Sequence, residues 1–350
     1  MKKSLIDWLR CPKCKNAPSH GLLSLVEAQT QNGSGDGEIE TGVLACSSCG
    51  TRHPIVGGIP RFVPVDNYAD NFGFQWNRFR KTQLDSHSGQ TISRDRFLKS
   101  TGWTPQSLAG KTVLDIGCGA GRFVEVALSC GATVFAVDYS NAVEACRANF
   151  PAHPNLHVIQ ADVYALPLSN ACFDAIYCLG VLQHTPSPRD AFLSLPRHLK
   201  SGGRLAVDVY QGGWRRIAHT KYWLRPLTKR VPQRRLFHAV ERSMPALLGL
   251  SRAVGRIPAV GRHVRRLLPV ANYEGMYGLD QKQLREWAVL DTFDMLAPTY
   301  DRPQTPRALA QWTQHAGLES VEIGQFGHLV ARGRKPVGSI TLSPQRAVTR

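Results

Sequence analysis

The run Val113-Leu114-Asp115-Ile116-Gly117-Cys118-Gly119-Ala120-Gly121-Arg122-Phe123 constrains this 350-residue chain more than any other feature. A short apolar strand ends in three glycines and passes into a helix-forming stretch. Glycine lets the backbone turn sharply and approach a ligand closely, and the helix that follows offers its free N–H groups to the same spot. A dinucleotide site asks for G-x-G-x-x-G; here the spacing is G-x-G-x-G, and Arg122 stands in the sixth position. Around this loop the pattern alternates. Strands are expected at 111–116, 132–137, 156–160, 173–179 and 203–210, and helices at 122–129, 141–149 and 188–199. Such alternation predicts a parallel sheet of βαβ units. Further on, helices are expected at 280–290 and 305–315 and strands at 318–323 and 328–331.

Two carboxylates follow the loop at telling places. Val134-Phe135-Ala136-Val137-Asp138 ends the second strand with an acid placed to accept ribose hydroxyls, and Ala161-Asp162-Val163 follows the third strand, where Asp162 could accept from an exocyclic adenine amine. Together with Phe173–Leu179, the loop Gly180-Val181-Leu182-Gln183-His184, and Leu199-Lys200-Ser201-Gly202-Gly203-Arg204-Leu205, these residues resemble the class I S-adenosylmethionine (SAM)-dependent methyltransferases. The resemblance runs in order over roughly a hundred residues. It implies an α/β, Rossmann-like sheet and SAM as cofactor. It also implies a cofactor-binding set of Asp115, Gly117, Cys118, Gly119, Gly121, Asp138, Tyr139, Asp162, Val163 and Leu179.

Methyl transfer from a sulfonium is an in-line displacement, so the protein mainly aligns its reactants. A base is needed only for a weakly acidic hydroxyl or a protonated amine. The resemblance places the loop after the fourth strand beside the methyl group. His184 is therefore the candidate base, with pocket lining as the plainer alternative. Asp208 and Tyr210, at the end of the fifth strand, are second candidates, although Asp208 could simply satisfy nearby backbone. Phe74, Gln75, Trp76 and Arg78 could close over the methionine end of the cofactor or pack along the sheet edge.

Upstream, Cys11-Pro12-Lys13-Cys14 and Cys46-Ser47-Ser48-Cys49 are two C-x-x-C turns, each aiming two thiolates at one point. Their long spacer holds a glycine-rich insertion, 31–37. A structural zinc on Cys11, Cys14, Cys46 and Cys49 is the expected occupant, and a redox disulfide is the alternative. The continuation through Gly57-Gly58-Ile59-Pro60 resembles the zinc-ribbon activator module of RNA methyltransferases. His20 and His53 are read as bystanders, and Cys118, Cys130, Cys146, Cys172 and Cys178 as buried apolar side chains.

The net charge of +17 is concentrated, because residues 211–270 hold fourteen Lys or Arg against the single acid Glu241. Five prolines (226, 232, 245, 258 and 269) are expected to cut this segment into short pieces. Trp214, Ile217, Ala218 and Tyr222 fall on one helical face, with Arg215, Arg216 and His219 opposite. Basic amphipathic pieces with tryptophan suit an anionic membrane surface or a lipid-linked substrate, and a basic patch also suits RNA. A solvated cap whose cations meet local acids is the third reading. Tyr273, Tyr277, Asp294 and Tyr300 are candidate acceptor-pocket residues.

The expected organisation is a zinc ribbon at 1–65, a connecting aromatic segment at 66–110, a SAM-binding core at 111–210, a basic helical cap at 211–295, the end of the core at 296–334 and a disordered tail at 335–350. The first residues lack the apolar core of a secretory signal, and no apolar run is long enough to span a bilayer, so a cytoplasmic enzyme is expected, possible peripheral contact with the inner membrane surface included. The combination of zinc ribbon, Phe-Gly-Phe-Gln-Trp and Asp-Thr-Phe-Asp resembles bacterial methyltransferases of glycan and secondary-metabolite pathways. It implies O- or N-methylation of a small, glycan-like or lipid-linked acceptor. The rivals are an RNA methyltransferase and a catalytically silent SAM-binding subunit.

Overall fold

A computed structural model describes residues 1–14, 21–30, 38–64, 67–213, 220–258, 261–265 and 267–338. Two sheets organise them. The first is an antiparallel meander of β1 (Leu23–Thr30), β2 (Ile39–Cys46), β3 (Arg52–Val56) and β4 (Ile59–Pro60). The second has seven strands: β5 (Thr112–Ile116), β6 (Thr133–Asp138), β7 (Leu156–Gln160), β8 (Phe173–Leu179), β9 (Leu199–Val209), β10 (Glu319–Phe326) and β11 (His328–Arg334). Their spatial order is β10-β11-β9-β8-β5-β6-β7. The run from β9 to β7 is parallel, and β11 lies antiparallel between β9 and β10. The expected α/β, Rossmann-like sheet is present.

The parallel strands are buried nearly throughout, as strands covered on both faces must be. Helices Arg122–Ser129 and Ala142–Asn149 carry apolar faces against one side. On the other side the N-terminal meander shares a single hydrophobic cluster with the large sheet. Leu5, Leu9, Ile39, Leu44 and Ile55 meet Leu114, Phe135, Phe173 and Ile176 there, and the Trp8 ring lies 4.8 Å from that of Phe135. Two C-x-x-C turns and a few short strands bury too little on their own, so the meander borrows the core of its neighbour.

The connecting segment holds four helices: Asp70–Arg78, Asp85–Ser88, Ile92–Thr101 and Pro105–Leu108. The cap differs from expectation. Instead of short pieces it contains one 23-residue helix, Gln233–Gly255, that runs through Pro245. Pro245 is exposed, so the ring clash and lost hydrogen bond fall on the solvent side, where water relieves them and apolar packing on the opposite face holds the helix. That face is Leu236, Phe237, Val240 and Met244, packed on Val289, Phe293 and Leu296 of helix Gln281–Leu296. Phe74 locks the cap to the core with an edge contact to Phe237, ring centroids 5.2 Å apart. The expected disordered tail begins with tied residues: Lys335 exchanges backbone hydrogen bonds with Gly202 and Gly203, and Gly338 N–H donates to Ser201 Oγ. Residues 339–350, the insertion 31–37, His20, and the 214–219 part of the amphipathic face lie outside the described residues.

Candidate active site

The order of strands reverses at β5, which pairs with both β6 and β8. Loops leaving the carboxyl ends of strands diverge at such a switch point and open a crevice. A cavity of about 530 Å³ opens there, walled by Gly117–Ala120, Asp138, Asp162, Leu179 and Gly180. Its far wall is the cap.

The glycine loop takes a conformation and close approaches that a side chain would not allow. Gly117 has φ +75°, and a Cβ there would stand 2.3 Å from Val181. Gly119 has φ +53°, and its missing Cβ leaves room for the Trp76 indole, which would otherwise be 3.2 Å away. Gly119 N–H donates to Asp138 Oδ2 at 2.9 Å, and Ser140 donates to Oδ1 from its backbone and its hydroxyl. This fixes the carboxylate at the end of β6. Burial nevertheless pushes the Asp138 carboxyl upward. Asp162 Oδ1 accepts from Tyr164 N–H at 3.0 Å, which fixes that carboxylate after β7. Cys118, Tyr139, Val163 and Leu179 also line the cavity.

Three expected site residues lie elsewhere. Asp115 is 2% exposed and does not line the cavity. Its Oδ2 has no hydrogen-bond partner, and burial pushes the carboxyl well above the usual range. Gly121 caps helix Arg122–Ser129 with φ +93°, and a Cβ there would meet the Phe150 ring at 2.5 Å, which makes it a packing glycine. Asp208, 1% exposed, pairs with Arg96 at 3.0 Å and accepts from Gly180 N–H. It holds the loop after β8 in place and is not part of the cavity wall.

His184 is at the wall, 8% exposed, with the Phe72 and Tyr210 rings 5.3 and 5.5 Å from its own. Its Nδ1 lies 3.0 Å from the carbonyl oxygen of Tyr300. A carbonyl only accepts, so Nδ1 carries the proton and Nε2 is left basic in the neutral ring.

The connecting segment divides its roles. Phe72, Gln75 and Trp76 line the cavity, whereas Arg78 points outward to Glu241, 3.3 Å away. Gln75 is fully buried, and neither its Oε1 nor its Nε2 has a protein partner. A buried amide without partners is costly, and a polar ligand at the cavity would supply them. A nucleoside with an amino-acid tail therefore fits: glycine backbone, Asp138 and Asp162 at one end, and the unpaired Gln75 amide for its polar groups.

From the cap side come Tyr273, Tyr277, Trp287, Asp291, Asp294 and Lys221. Tyr300, expected in the wall, contributes its carbonyl to His184 instead. Asp291, missing from the expected pocket set, lines the cavity three residues from Asp294 on the same helix, a spacing that could have pointed to it. Burial pushes it up to about 6, and the Tyr273 hydroxyl donates to it. Arg122 is held by neutral partners, Ser93 Oγ at 2.9 Å and Gln83 Oε1 at 3.1 Å. Burial, with Arg96 nearby, lowers it to about 10. Arg96 carried no sequence signal, because it lies in a helix remote from every motif.

In the N-terminal segment the four cysteines converge. The Sγ atoms of Cys11, Cys14, Cys46 and Cys49 lie within 4.8 Å of one another, and all four thiols are free. Sulfurs about 2.3 Å from a central zinc would form a tetrahedron with edges of about 3.8 Å. Cys11–Cys49 and Cys14–Cys46 are each separated by 3.7 Å. Hydrogen bonding to Cys49 pushes the Cys14 thiol up to about 12, and the Thr51 hydroxyl holds Cys49 down at about 6. The set fits a zinc ion, which would deprotonate all four thiols. His53 is not remote from it: its Nε2 lies 3.8 Å from Cys11 Sγ, and Phe62 packs on its ring.

Comparison with known proteins bears on the class. Residues 114–207 match the family described as a methyltransferase domain. The chain is 32% identical over 154 residues to the mitochondrial ubiquinone biosynthesis O-methyltransferase of Schizosaccharomyces pombe, covering 41% of this chain and 54% of that one. It is 37% identical over 110 residues to the tRNA U34 carboxymethyltransferase of Trichlorobacter lovleyi, covering 30% and 33%. Among solved structures, human N-acetylserotonin methyltransferase in complex with SAM aligns with a TM-score of 0.39 at 13% identity, covering 77% of this chain and 57% of that one. The Rossmann-like sheet, the cavity at its switch point and the match over residues 114–207 agree on a methyltransferase domain in this part of the chain. The chain spans from a third to about half the length of the curated relatives it matches.

Proposed function

We propose that the protein is a SAM-dependent methyltransferase that methylates an oxygen or nitrogen of a small or lipid-linked acceptor. The observation that carries this reading is a single cavity that joins the glycine loop, Asp138 and Asp162 to His184 and the cap residues Tyr273, Tyr277 and Asp294. SAM, when bound, supplies an already activated methyl group. The protein's own residues do the rest. Asp138 and Asp162 anchor the nucleoside, and Gln75 satisfies polar groups of the methionine portion. The acceptor enters between core and cap, where Trp287 and the two tyrosines offer aromatic faces. His184 takes a proton at Nε2 while the Tyr300 carbonyl holds the ring. Arg122, half-buried at the cavity wall and held by Ser93 and Gln83 with no carboxylate in ion-pair distance among the described residues, favours an acceptor that carries negative charge or develops it on losing a proton. Zinc on the four cysteines is structural, since no ligand position remains open.

The test is radiolabelled SAM with the full chain and host extract, separated into lipid, nucleic acid, protein and small molecules. Label in lipid or small molecules is expected. Label in RNA would favour the second reading, tRNA or rRNA methylation, which rests on the similarity to tRNA U34 carboxymethyltransferases. The names of the relatives lend no support to a glycan acceptor.

A further inference from the structure

The cap's cations divide into two sets. Lys221 pairs with Asp301 at 3.1 Å, and Arg252 with Glu274 at 3.0 Å; Arg225 donates to the carbonyls of Met295 and Pro298. These cations serve the fold. Lys229, Arg230, Arg234, Arg235, Arg242 and Arg256 are exposed, and among the described residues none has a carboxylate within ion-pair distance. On helix Gln233–Gly255 and its C-cap, Arg235, Arg242 and Arg256 are spaced by seven and fourteen residues. That places them within one narrow outward stripe, opposite the buried Leu236, Val240 and Met244.

The same cap concentrates exposed apolar surface. Seven of the thirteen exposed large hydrophobics among the described residues lie between 220 and 270: Trp223, Leu227, Val231, Leu250, Ile257, Val264 and Leu267. Trp223 and Leu227, 61% and 65% exposed, sit one helical turn apart on Thr220–Thr228. Val231 follows, amid Lys229, Arg230, Arg234 and Arg235. Unpaired cations ask for an anionic partner. RNA would use the cations and could stack on Trp223, but it has no use for exposed Leu, Val and Ile. An anionic bilayer surface uses all of them. No described helix is long and apolar enough to cross a membrane, so contact would be peripheral.

We infer that the outer face of the cap, centred on Trp223, Leu227 and the unpaired arginines, docks on an anionic lipid surface. Thr220–Thr228 then has two duties. Lys221 on its buried side lines the cavity, while Trp223 and Leu227 on its open side enter the lipid headgroup region. An acceptor resident in the membrane would meet the cavity at the edge of this helix. This last step rests on the methyltransferase reading; the docking itself does not.

The experiment is co-sedimentation of the full chain with phosphatidylcholine vesicles, with or without phosphatidylglycerol, and SAM calorimetry on every variant. Binding is expected only to the phosphatidylglycerol vesicles. Arg235→Glu with Arg242→Glu should weaken it by on the order of tenfold or more. Trp223→Ser with Leu227→Ser should weaken it by a similar factor. Both pairs should keep wild-type SAM affinity, which shows that they are folded. No binding to anionic vesicles by the wild type would overturn the inference. So would a serine pair that binds vesicles like the wild type. Retention of total tRNA without vesicle binding would assign the stripe to nucleic acid and overturn it as well. A wild type that sediments but fails to bind SAM would sink the methyltransferase reading and leave the docking standing.

Discussion

The imidazole of His184 is held by the backbone of Tyr300: Nδ1 stands 3.0 Å from the Tyr300 carbonyl oxygen, across 116 residues of sequence. This contact sets the tautomer and leaves Nε2 as the basic nitrogen at a cavity wall. If His184 takes the acceptor's proton, His184→Gln should lower kcat by about 10²–10⁴-fold. It should also leave SAM affinity unchanged. Single-turnover kinetics and calorimetry on one preparation would measure both. Unchanged turnover on the true acceptor would make His184 pocket lining.

Asp138 accepts from Gly119 N–H and twice from Ser140, so its carboxylate is oriented before any ligand arrives. Asp138→Ala should raise the SAM dissociation constant by roughly 10–100-fold, the scale of a lost charge-assisted hydrogen bond. Calorimetry measures it, and unaltered affinity would refute the ribose role.

Metal analysis of protein purified without chelator should find one zinc per chain. A strong chelator, or Cys46→Ser, should lower the melting temperature by at least about 5 °C. The fall should appear as a shift of the main transition. The reason is that Leu44 and Ile55 of the meander share a cluster with Phe135 and Phe173 of the large sheet. A small, separate early transition with the main one unmoved would show that the meander unfolds alone.

His157 on β7 is 9% exposed, and its ring lies 4.6 Å from that of Phe135. Burial, reinforced by Lys2, lowers its pKa from 6.5 to about 4. A base with a depressed folded pKa contributes stability that is complete above its unfolded value and lost as pH falls toward the folded one. Stability should therefore drop between about pH 6.5 and pH 4 by on the order of 2–3 kcal/mol from this group. In His157→Leu that part of the decline should vanish. Urea unfolding at a series of pH values would show it, and parallel curves for variant and wild type would remove His157 as the cause.

Much of the cofactor half was legible because its information is local. The glycines, Asp138 and Asp162 each sit at the end of a strand, and chain spacing alone puts strand ends on one edge of a parallel sheet. The two C-x-x-C turns are local in the same sense. Other readings needed the folded chain. Gln75 could be packing or ligand until both amide atoms proved buried without a partner. Asp115 sits in the same motif as Gly117 yet is buried away from the cavity wall. Pro245 marks a break in sequence but lies on the solvent side of a continuous helix.

The sequence by itself determined the sheet, the cofactor loop, the cysteine quartet and the location of the excess charge, because each follows from residues close together in the chain. Only the tertiary structure decided which cations that charge leaves free. Lys221 is neutralised by Asp301, and His184 is aimed by Tyr300. Arg122 is half-buried and held by the neutral Ser93 and Gln83, and Trp223 with Leu227 faces solvent in a cap whose exposed arginines have no carboxylate in ion-pair distance among the described residues. Those outcomes depend on contacts between distant segments, where desolvation and pairing energies are set by what the fold brings together and no spacing rule anticipates them.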